Sequence, residues 1–198
     1  MSVPSYSILC TQCDYDSSSR ATIGRYYYKD NEGLFNLERQ LGWCNGCQRI
    51  TAIEDFSQTF QAATKIRSQS ELVSRNTGSV WAAILNVLSK SSREWLASNI
   101  KTINSYAKYI ELAEDRVGQE RCLTCSSYVV IPYKPTKDKG GFKERGDFMY
   151  HGKHNTDFEH PGCGGMFYEK ADDVRLHRQL RSKFYKPDGT FAESNYAD

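Results

Sequence analysis

The stretch Cys44-Asn45-Gly46-Cys47 carries two cysteines separated by two residues. Three further stretches repeat this gap, namely Cys10 to Cys13, Cys122 to Cys125 and His160 to Cys163. A tight turn of this spacing directs two sulfurs, or a sulfur and an imidazole nitrogen, toward one metal ion. The four half-sites together supply eight ligands, which is the number that two tetrahedral zinc ions need. The sequence therefore predicts two Zn²⁺ ions per chain.

Disulfide bonds are a poor alternative for these cysteines. The chain has seven cysteines in 198 residues, and an odd number cannot all pair within one molecule. The N-terminus carries no basic region before an apolar run, so we expect no secretory signal and a cytoplasmic location, where disulfides are rare. The longest apolar stretch, residues 80–88, is far shorter than the roughly 20 residues that span a bilayer. We therefore expect no membrane segment.

Distance along the chain suggests how the half-sites combine. The intervals are 30 residues between Cys13 and Cys44 and 34 residues between Cys125 and His160, enough for a hairpin or a short three-stranded sheet. We predict a four-cysteine site 1 and a site 2 of three cysteines and one histidine. Site 1 would comprise Cys10, Cys13, Cys44 and Cys47, and site 2 would comprise Cys122, Cys125, His160 and Cys163.

The histidine of site 2 has a competitor nearby. His154 lies six residues before His160, but only His160 stands at the knuckle spacing and is followed by glycines that permit a tight turn. The pattern of two knuckles that clamp one ion resembles that of zinc ribbons, over roughly residues 5–56 and 119–170. This resemblance implies small β modules with structural zinc, and it specifies no function. Segments rich in β-branched and aromatic residues surround the knuckles, at 7–9, 25–28, 49–53, 128–131, 147–150 and 166–168.

The segment between the predicted ribbons has a helical pattern. No proline occurs from Ser57 to Gln119, and apolar residues recur at intervals of three and four. We predict a first helix over about 60–76 and a short apolar helix over 80–88. A third helix should run from a capping box at Ser91 and Glu94 to about Val117. These helices could separate the ribbons or form the seam of a homodimer.

The fold class predicted is α+β, with two zinc-ribbon-like β modules flanking the helical middle and a short amphipathic helix at the C-terminus. The predicted boundaries are 1–57 for the four-cysteine ribbon, 58–117 for the helices, 118–170 for the second ribbon and 171–198 for the basic helix and tail. The helix is predicted over 171–183, because Leu176, Leu180 and Phe184 recur at four-residue steps beside a row of arginines. A turn at 186–190 and a strand at Phe191 should follow.

Two kinds of surface residue are candidates for contact with a partner. Basic side chains in the 134–145 loop and the 175–183 helix could bind phosphate or an acidic partner, and these are Lys137, Lys139, Lys143, Arg145, Arg175, Arg178 and Arg181. Aromatic rings could bind a base or a protein, and these are Tyr26, Tyr27, Tyr28 and Phe148.

The formal net charge of the chain helps to distinguish a protein partner from a nucleic-acid partner. Seven thiolates and two Zn²⁺ ions would lower the formal charge from +2 to −1, whereas nonspecific nucleic-acid binders are clearly basic. We therefore predict a non-enzymatic adaptor that binds another protein, with nucleic acid as the alternative partner. A third candidate is a metal-dependent hydrolase or nuclease that uses His151 and His154 with Asp147 and Asp157. No familiar catalytic motif is present, and four protein ligands leave a zinc ion no open position for water.

Overall fold

The computed structural model describes residues 5–78, 89–134, 153–172 and 181–196. The two α-helices in this part are α1 (Thr59–Thr77) and α2 (Lys90–Arg116), and a 3-10 helix covers Ser19–Thr22. The strands are β1 (Tyr6–Cys10), β2 (Asp16–Ser18), β3 (Arg25–Asp30), β4 (Gly33–Asn36), β5 (Arg39–Cys44), β6 (Arg49–Glu54), β7 (Val130–Pro132), β8 (Lys153–Glu159), β9 (Met166–Ala171), β10 (Arg181–Tyr185) and β11 (Phe191–Tyr196).

The strands form three sheets, and each sheet joins strands that precede the helices to strands that follow them. The first has the order β2-β1-β9-β8, the second β11-β10-β3-β4 and the third β6-β5-β7. In the first sheet β1 runs antiparallel to β9, from Tyr6 opposite Ala171 to Cys10 opposite Phe167. In the second sheet β3 and β10 are parallel, and in the third β5 is antiparallel to β7. The N-terminal and C-terminal parts therefore share every sheet.

This topology shows that the predicted fold class is wrong. The helices do not stand between two separate ribbons, because strands on both sides of them pair with one another. The prediction assumed that neighbours in sequence pair first, which holds for only about two-thirds of successive strands. Burial favours the long-range pairing here, since Ile8 of β1 and Phe167 of β9 are both fully buried in one core cluster.

The hydrophobic core has two parts. One lies under the helices, where Tyr28 and Phe35 of the second sheet pack with Tyr109 and Ala113 of α2. The other gathers residues of the first and third sheets around Trp43, including Ile8, Ile50 and Phe167. Trp43 is 1% exposed, so its whole indole contributes apolar area to this second cluster.

The helices form an antiparallel hairpin, and the first and third predicted helices correspond to α1 and α2. α1 begins one residue before the predicted start, and α2 ends one residue before the predicted end. The N-cap of α2 is Ser89, whose hydroxyl accepts a hydrogen bond from Ser92 N at 3.3 Å, so the predicted cap at Ser91 is wrong. The predicted short helix at 80–88 lies outside the described residues.

The residues that precede the helical hairpin and those that follow it lie next to each other at the end of β6. Glu54 N at the end of β6 donates to the carbonyl of Arg121 at 2.9 Å, and Ile53 forms an isolated bridge with Cys122. The fully buried Glu54 carboxylate also accepts two hydrogen bonds from Arg116 at the end of α2, at 2.9 and 2.7 Å. The segment between Glu54 and Arg121 therefore leaves the sheets and returns beside its starting point, and its two ends are joined by hydrogen bonds and an ion pair.

The predicted C-terminal helix over 171–183 is wrong at the ends that the structure describes. Ala171 ends β9, and Arg181–Tyr185 forms β10, while residues 173–180 between them lie outside the described residues. The four-residue spacing led to a helix prediction, but Phe184 belongs to a strand in which Ser182 and Tyr185 are buried. The predicted turn and following strand are confirmed, since Lys186 N donates to Thr190 O at 2.8 Å and β10 pairs with β11.

Neither of the two described helices combines the length and the apolar composition needed to cross a lipid bilayer.

Candidate metal centres

Four donors meet where the first sheet ends, and we call them the Cys₃His cluster: Cys10, Cys13, His160 and Cys163. Cys10 is the last residue of β1, and His160 and Cys163 lie on the turn between β8 and β9. Because β1 pairs with β9, the end of β1 lies beside that turn. The Cys163 sulfur lies 3.4 Å from Cys10 Sγ and 3.5 Å from Cys13 Sγ.

The ring of His160 is held by packing. Its centroid lies 4.8 Å from that of Tyr15, 5.1 Å from that of Trp43 and 5.0 Å from that of Phe167. In this position its Nδ1 atom is 3.4 Å from Cys13 Sγ and 3.1 Å from Cys163 Sγ. Nδ1 is therefore the ring atom that faces the three sulfurs.

The other four cysteines form a second group, which we call the Cys₄ cluster: Cys44, Cys47, Cys122 and Cys125. Cys44 ends β5 and Cys47 lies on the turn to β6, while Cys122 forms a bridge with Ile53 of β6. The sulfurs of Cys44 and Cys125 are 3.5 Å apart, and those of Cys47 and Cys122 are 3.7 Å apart. Backbone N–H groups of Cys47 and Thr124 donate to cluster sulfurs at 3.4 Å, as in metal knuckles.

The structure brings together the eight donors named from the sequence, but in a different pairing. The first half-site joins the fourth and the second joins the third, so the predicted division into site 1 and site 2 is wrong. The prediction used distance along the chain, whereas the sheets decide which knuckles meet. β1 pairs with β9, and β6 and the 122–125 turn meet at the bridge between Ile53 and Cys122.

The donor geometry fits one tetrahedral ion per cluster. Within each cluster all four donor atoms lie within 4.8 Å of one another. Zinc–sulfur bonds of about 2.3 Å in a tetrahedron place neighbouring sulfurs about 3.8 Å apart, close to the sulfur separations of 3.4–3.7 Å here. These separations are much longer than the roughly 2.05 Å of a disulfide bond. Three thiolates with one imidazole, or four thiolates, are donor sets that suit zinc.

The pKa values of the thiols show why a cation suits these clusters. At Cys10 burial opposes ionisation, but hydrogen bonds from Gln12 N–H and from the neighbouring cluster residues lower the pKa to about 6. Burial and the neighbouring sulfurs raise the pKa of Cys13 to about 11. Burial likewise raises the pKa of Cys122 to about 11, against the hydrogen bonds from backbone N–H groups. The thiols therefore cannot all ionise at neutral pH unless a positive charge lies among them.

Trp43 connects the two clusters. Its ring packs on His160 of the Cys₃His cluster, and the next residue, Cys44, is a donor of the Cys₄ cluster. Its Nε1–H donates to Asn45 Oδ1 at 2.7 Å, inside the 44–47 turn. No sequence motif marks Trp43, Tyr15 or Phe167 as part of a metal site. The only local signal was the position of Trp43 directly before a knuckle cysteine.

The remaining candidate residues have mixed outcomes. The structure buries Tyr26 and Tyr28, which are 3% and 0% exposed, so their prediction as contact residues is wrong. Tyr27 is half-buried and Arg181 lies in β10. The other basic and aromatic candidates fall outside the described residues, and these are Lys137, Lys139, Lys143, Arg145, Phe148, Arg175 and Arg178.

The residues of the hydrolase candidate are not assembled into a third site among the described residues. His154 and Asp157 lie in β8 and belong to neither donor group. Asp147 and His151 lie outside the described residues. The two clusters are therefore the sites with a defined donor geometry in the part of the chain that the structure describes.

The donor geometry is the basis for assigning a function to this chain. Each cluster has the donors of a structural metal site and joins segments that are far apart in sequence. Comparison with protein-family models, with curated proteins and with solved structures gave no match for the chain.

Proposed function

We propose that this chain is a non-catalytic interaction protein in which two Zn²⁺ ions stabilise a binding scaffold, and that its partner is another protein. The observation that carries the proposal is the composition of the two clusters. Each offers four protein donors to one ion, so no coordination position is left for water or substrate. A zinc ion bound in this way stabilises the fold and has no place to activate a reactant.

The position of the clusters supports a scaffolding role. The Cys₃His cluster holds the end of β1 against the β8–β9 turn, and the Cys₄ cluster holds the β5–β6 turn against residues 122–125. Each ion would therefore link the part of the chain before the helical hairpin to the part after it. Because these sites form only on folding, the free energy of zinc binding contributes directly to the stability of the fold.

A protein partner agrees with the charge of the loaded chain. Its formal charge would be −1, so it lacks the excess of basic side chains from which nonspecific nucleic-acid binding gains affinity. One observation favours the alternative of a nucleic-acid partner. Residues 59–104, which include most of the helical hairpin, carry six basic and two acidic side chains. A partner with negative charge on its surface therefore suits this hairpin.

Metal analysis of single and double variants tests the proposal. We expect two zinc ions per chain in protein purified without chelator, and one ion after Cys44→Ser. Cys44→Ser with Cys125→Ser should still retain one ion, because both residues belong to the Cys₄ cluster. Cys44→Ser with Cys13→Ser should retain none, since each change disrupts a different cluster.

Thr124→Ser is the matched control for these variants, because it alters the Cys₄ knuckle without removing a donor. It should keep both ions and nearly the full thermal stability. A wild-type content near one or zero zinc ions would contradict the two-ion scaffold. If Cys44→Ser with Cys13→Ser retained one ion, the pairing described above would be wrong.

A further inference from the structure

A groove of about 400 Å³ lies between α2 and the second sheet. On the sheet side it is lined by Tyr27 of β3 and Phe184 of β10, and on the helix side by Lys101 and Ser105 of α2. We call it the aromatic groove. Its volume lies within the range of sites that bind small molecules or single side chains of a partner.

The two rings of the aromatic groove face away from the core. Successive side chains of a strand point to opposite faces, and Tyr26 and Tyr28 occupy the buried face of β3. Tyr27 therefore projects from the other face, beside Phe184 at the same level of the parallel pair. The two ring centroids are 5.9 Å apart and the ring planes differ by 22°. Both rings are half-buried, so they retain apolar area that a partner could cover.

The charge in the aromatic groove is positive. Lys101 is its cation, and no carboxylate is among the described residues that line it. Lys101 forms no ion pair with a residue that the structure describes. Lys108, two turns further along α2, provides a contrast, because it binds Asp30 and Glu32 at 2.7 Å each. The ammonium group of Lys101 is thus available to a carboxylate from another molecule.

We infer that the aromatic groove binds an acidic segment of a partner protein, which places an aromatic side chain against Tyr27 and Phe184 and a carboxylate on Lys101. This inference rests on the proposed function and specifies where and what the protein binds. Buried aromatic anchors supply much of the energy of protein interfaces, and a neighbouring ion pair adds specificity. Serine and threonine hydroxyls on the helix side can accept or donate further hydrogen bonds.

Two other occupants fit less well. A nucleic-acid strand gains affinity from many phosphate contacts, and the aromatic groove offers one cation. A second copy of this chain would bring two hairpins together that each carry six basic and two acidic side chains over residues 59–104. Like charges would oppose that contact. An acidic protein segment matches both the rings and the charge.

Three labelled peptides test the inference with the full-length, zinc-loaded chain. These are Glu-Glu-Trp-Glu-Glu, the same peptide with Ala in place of Trp, and Lys-Lys-Trp-Lys-Lys. Binding is measured by fluorescence anisotropy, and the site is located by amide chemical shifts. We expect saturable binding of the acidic Trp peptide, at least about tenfold tighter than either other peptide, with shifts at residues that line the aromatic groove.

Charge reversal sharpens the test. Lys101→Glu should weaken the acidic Trp peptide and strengthen the basic one, and Tyr27→Ala should weaken both Trp peptides. Lys90→Glu is the control, because Lys90 lies on the same helix but does not line the aromatic groove. Circular dichroism and zinc content, measured on the same samples, should match the wild type for all three variants.

Several results would overturn the inference. One is the absence of saturable binding by the acidic Trp peptide, and another is an equal effect of Lys90→Glu and Lys101→Glu, which would indicate general charge attraction. A third is displacement of the peptide by an oligothymidylate whose log affinity falls with log salt by more than about 0.7 unit of slope, the value for one phosphate of a single strand. If such a result came with two zinc ions and the expected pairing, the groove assignment alone would fail. Loss of the zinc stoichiometry would contradict the proposed scaffold itself.

Discussion

At the scale of single residues, the carboxylate of Glu54 is a charge that three other segments of the chain hold in place. It is fully buried and accepts hydrogen bonds from Tyr28 OH, the Arg116 guanidinium and Arg121 N–H, at distances of 2.7 to 2.9 Å. A buried carboxylate is tolerated only when it is paired and hydrogen-bonded in this way. The contacts of Glu54 thus fix the end of β6, the end of α2 and the start of the 122–125 knuckle together.

Tyr28 should make stability depend on pH in the alkaline range. Burial, followed by the nearby Glu54 carboxylate, raises the pKa of Tyr28 above its ordinary value of about 10. A group whose pKa is higher in the folded state stabilises the fold fully below its unfolded pKa and loses that contribution as the pH rises. We therefore expect the free energy of unfolding to fall above about pH 10. Tyrosinate absorbance of the buried phenols should appear together with the loss of far-ultraviolet circular dichroism.

Two tyrosine variants provide the comparison. Tyr28→Phe should lower the free energy of unfolding by about 1 kcal/mol at neutral pH, because one hydrogen bond to Glu54 is lost. Tyr128→Phe should have almost no effect, since Tyr128 is 73% exposed. Titration of all tyrosines near pH 10 in a protein with unchanged circular dichroism would contradict the burial described here.

At the scale of elements, the sequence predicted most of the local structure and little of the pairing. β1, β3, β6 and β9 coincide with segments predicted from their β-branched and aromatic residues, and the knuckles follow from residues two positions apart. These signals are local, so they can be read from a short window. The pairing of β1 with β9 joins residues about 160 positions apart and depends on which apolar faces are buried together. The helix prediction for 171–183 was wrong for a related reason. Phe184, just beyond it, continues the helical period of apolar residues, but it belongs to strand β10.

Strand β5 connects the two clusters, because Trp43 packs on His160 and the next residue, Cys44, is a ligand of the Cys₄ cluster. This arrangement gives a prediction for Trp43. Trp43→Phe removes part of the ring packing that orients His160, and also the hydrogen bond to Asn45 in the 44–47 turn, although it removes no metal ligand. We expect the ion of the Cys₃His cluster to be released to a chromogenic chelator several-fold faster, and the ion of the Cys₄ cluster to change less. Trp95→Phe on α2 is the matched control and should release both ions at wild-type rates. Equal release rates for wild type and Trp43→Phe would show that packing on His160 does not hold the site together.

At the scale of the whole molecule, the helical hairpin projects from the sheets. The outer part of the hairpin, toward the connection between its two helices, contributes little to the packed core of the described residues. In α1 only Ala62 is buried, and in α2 only Tyr109 and Ala113, all near the sheets. Lys65 Nζ reaches the Tyr106 hydroxyl at 2.9 Å, so the two helices are already adjacent at this level. The chain beyond these residues contributes no fully buried side chain among the described residues.

A shortened hairpin tests this view of the molecule. Replacing residues 66–103 by a short Gly-Ser linker retains Ala62, Tyr109, Ala113 and the ion pair between Arg116 and Glu54. We expect this variant to bind two zinc ions and to unfold cooperatively, with circular dichroism that shows less helix. It should no longer bind the acidic Trp peptide, because Lys101 is removed. Loss of either ion would show that the outer hairpin supports the scaffold, although none of its described side chains is fully buried.

The first half-site pairs with the fourth and the second pairs with the third, so the ligand sets of the two clusters are completed in a fixed order during synthesis of the chain. When Cys10 and Cys13 emerge from the ribosome, the partners that they need, His160 and Cys163, have not yet been synthesised. All four ligands of the Cys₄ cluster are present once Cys125 has been synthesised, so this cluster can close before His160 and Cys163 exist. The Cys₃His cluster, together with the pairing of β1 and β9, must wait until His160, Cys163 and β9 have been synthesised. Until then the first two thiols of the nascent chain depend on the reducing power of their surroundings to stay competent for metal.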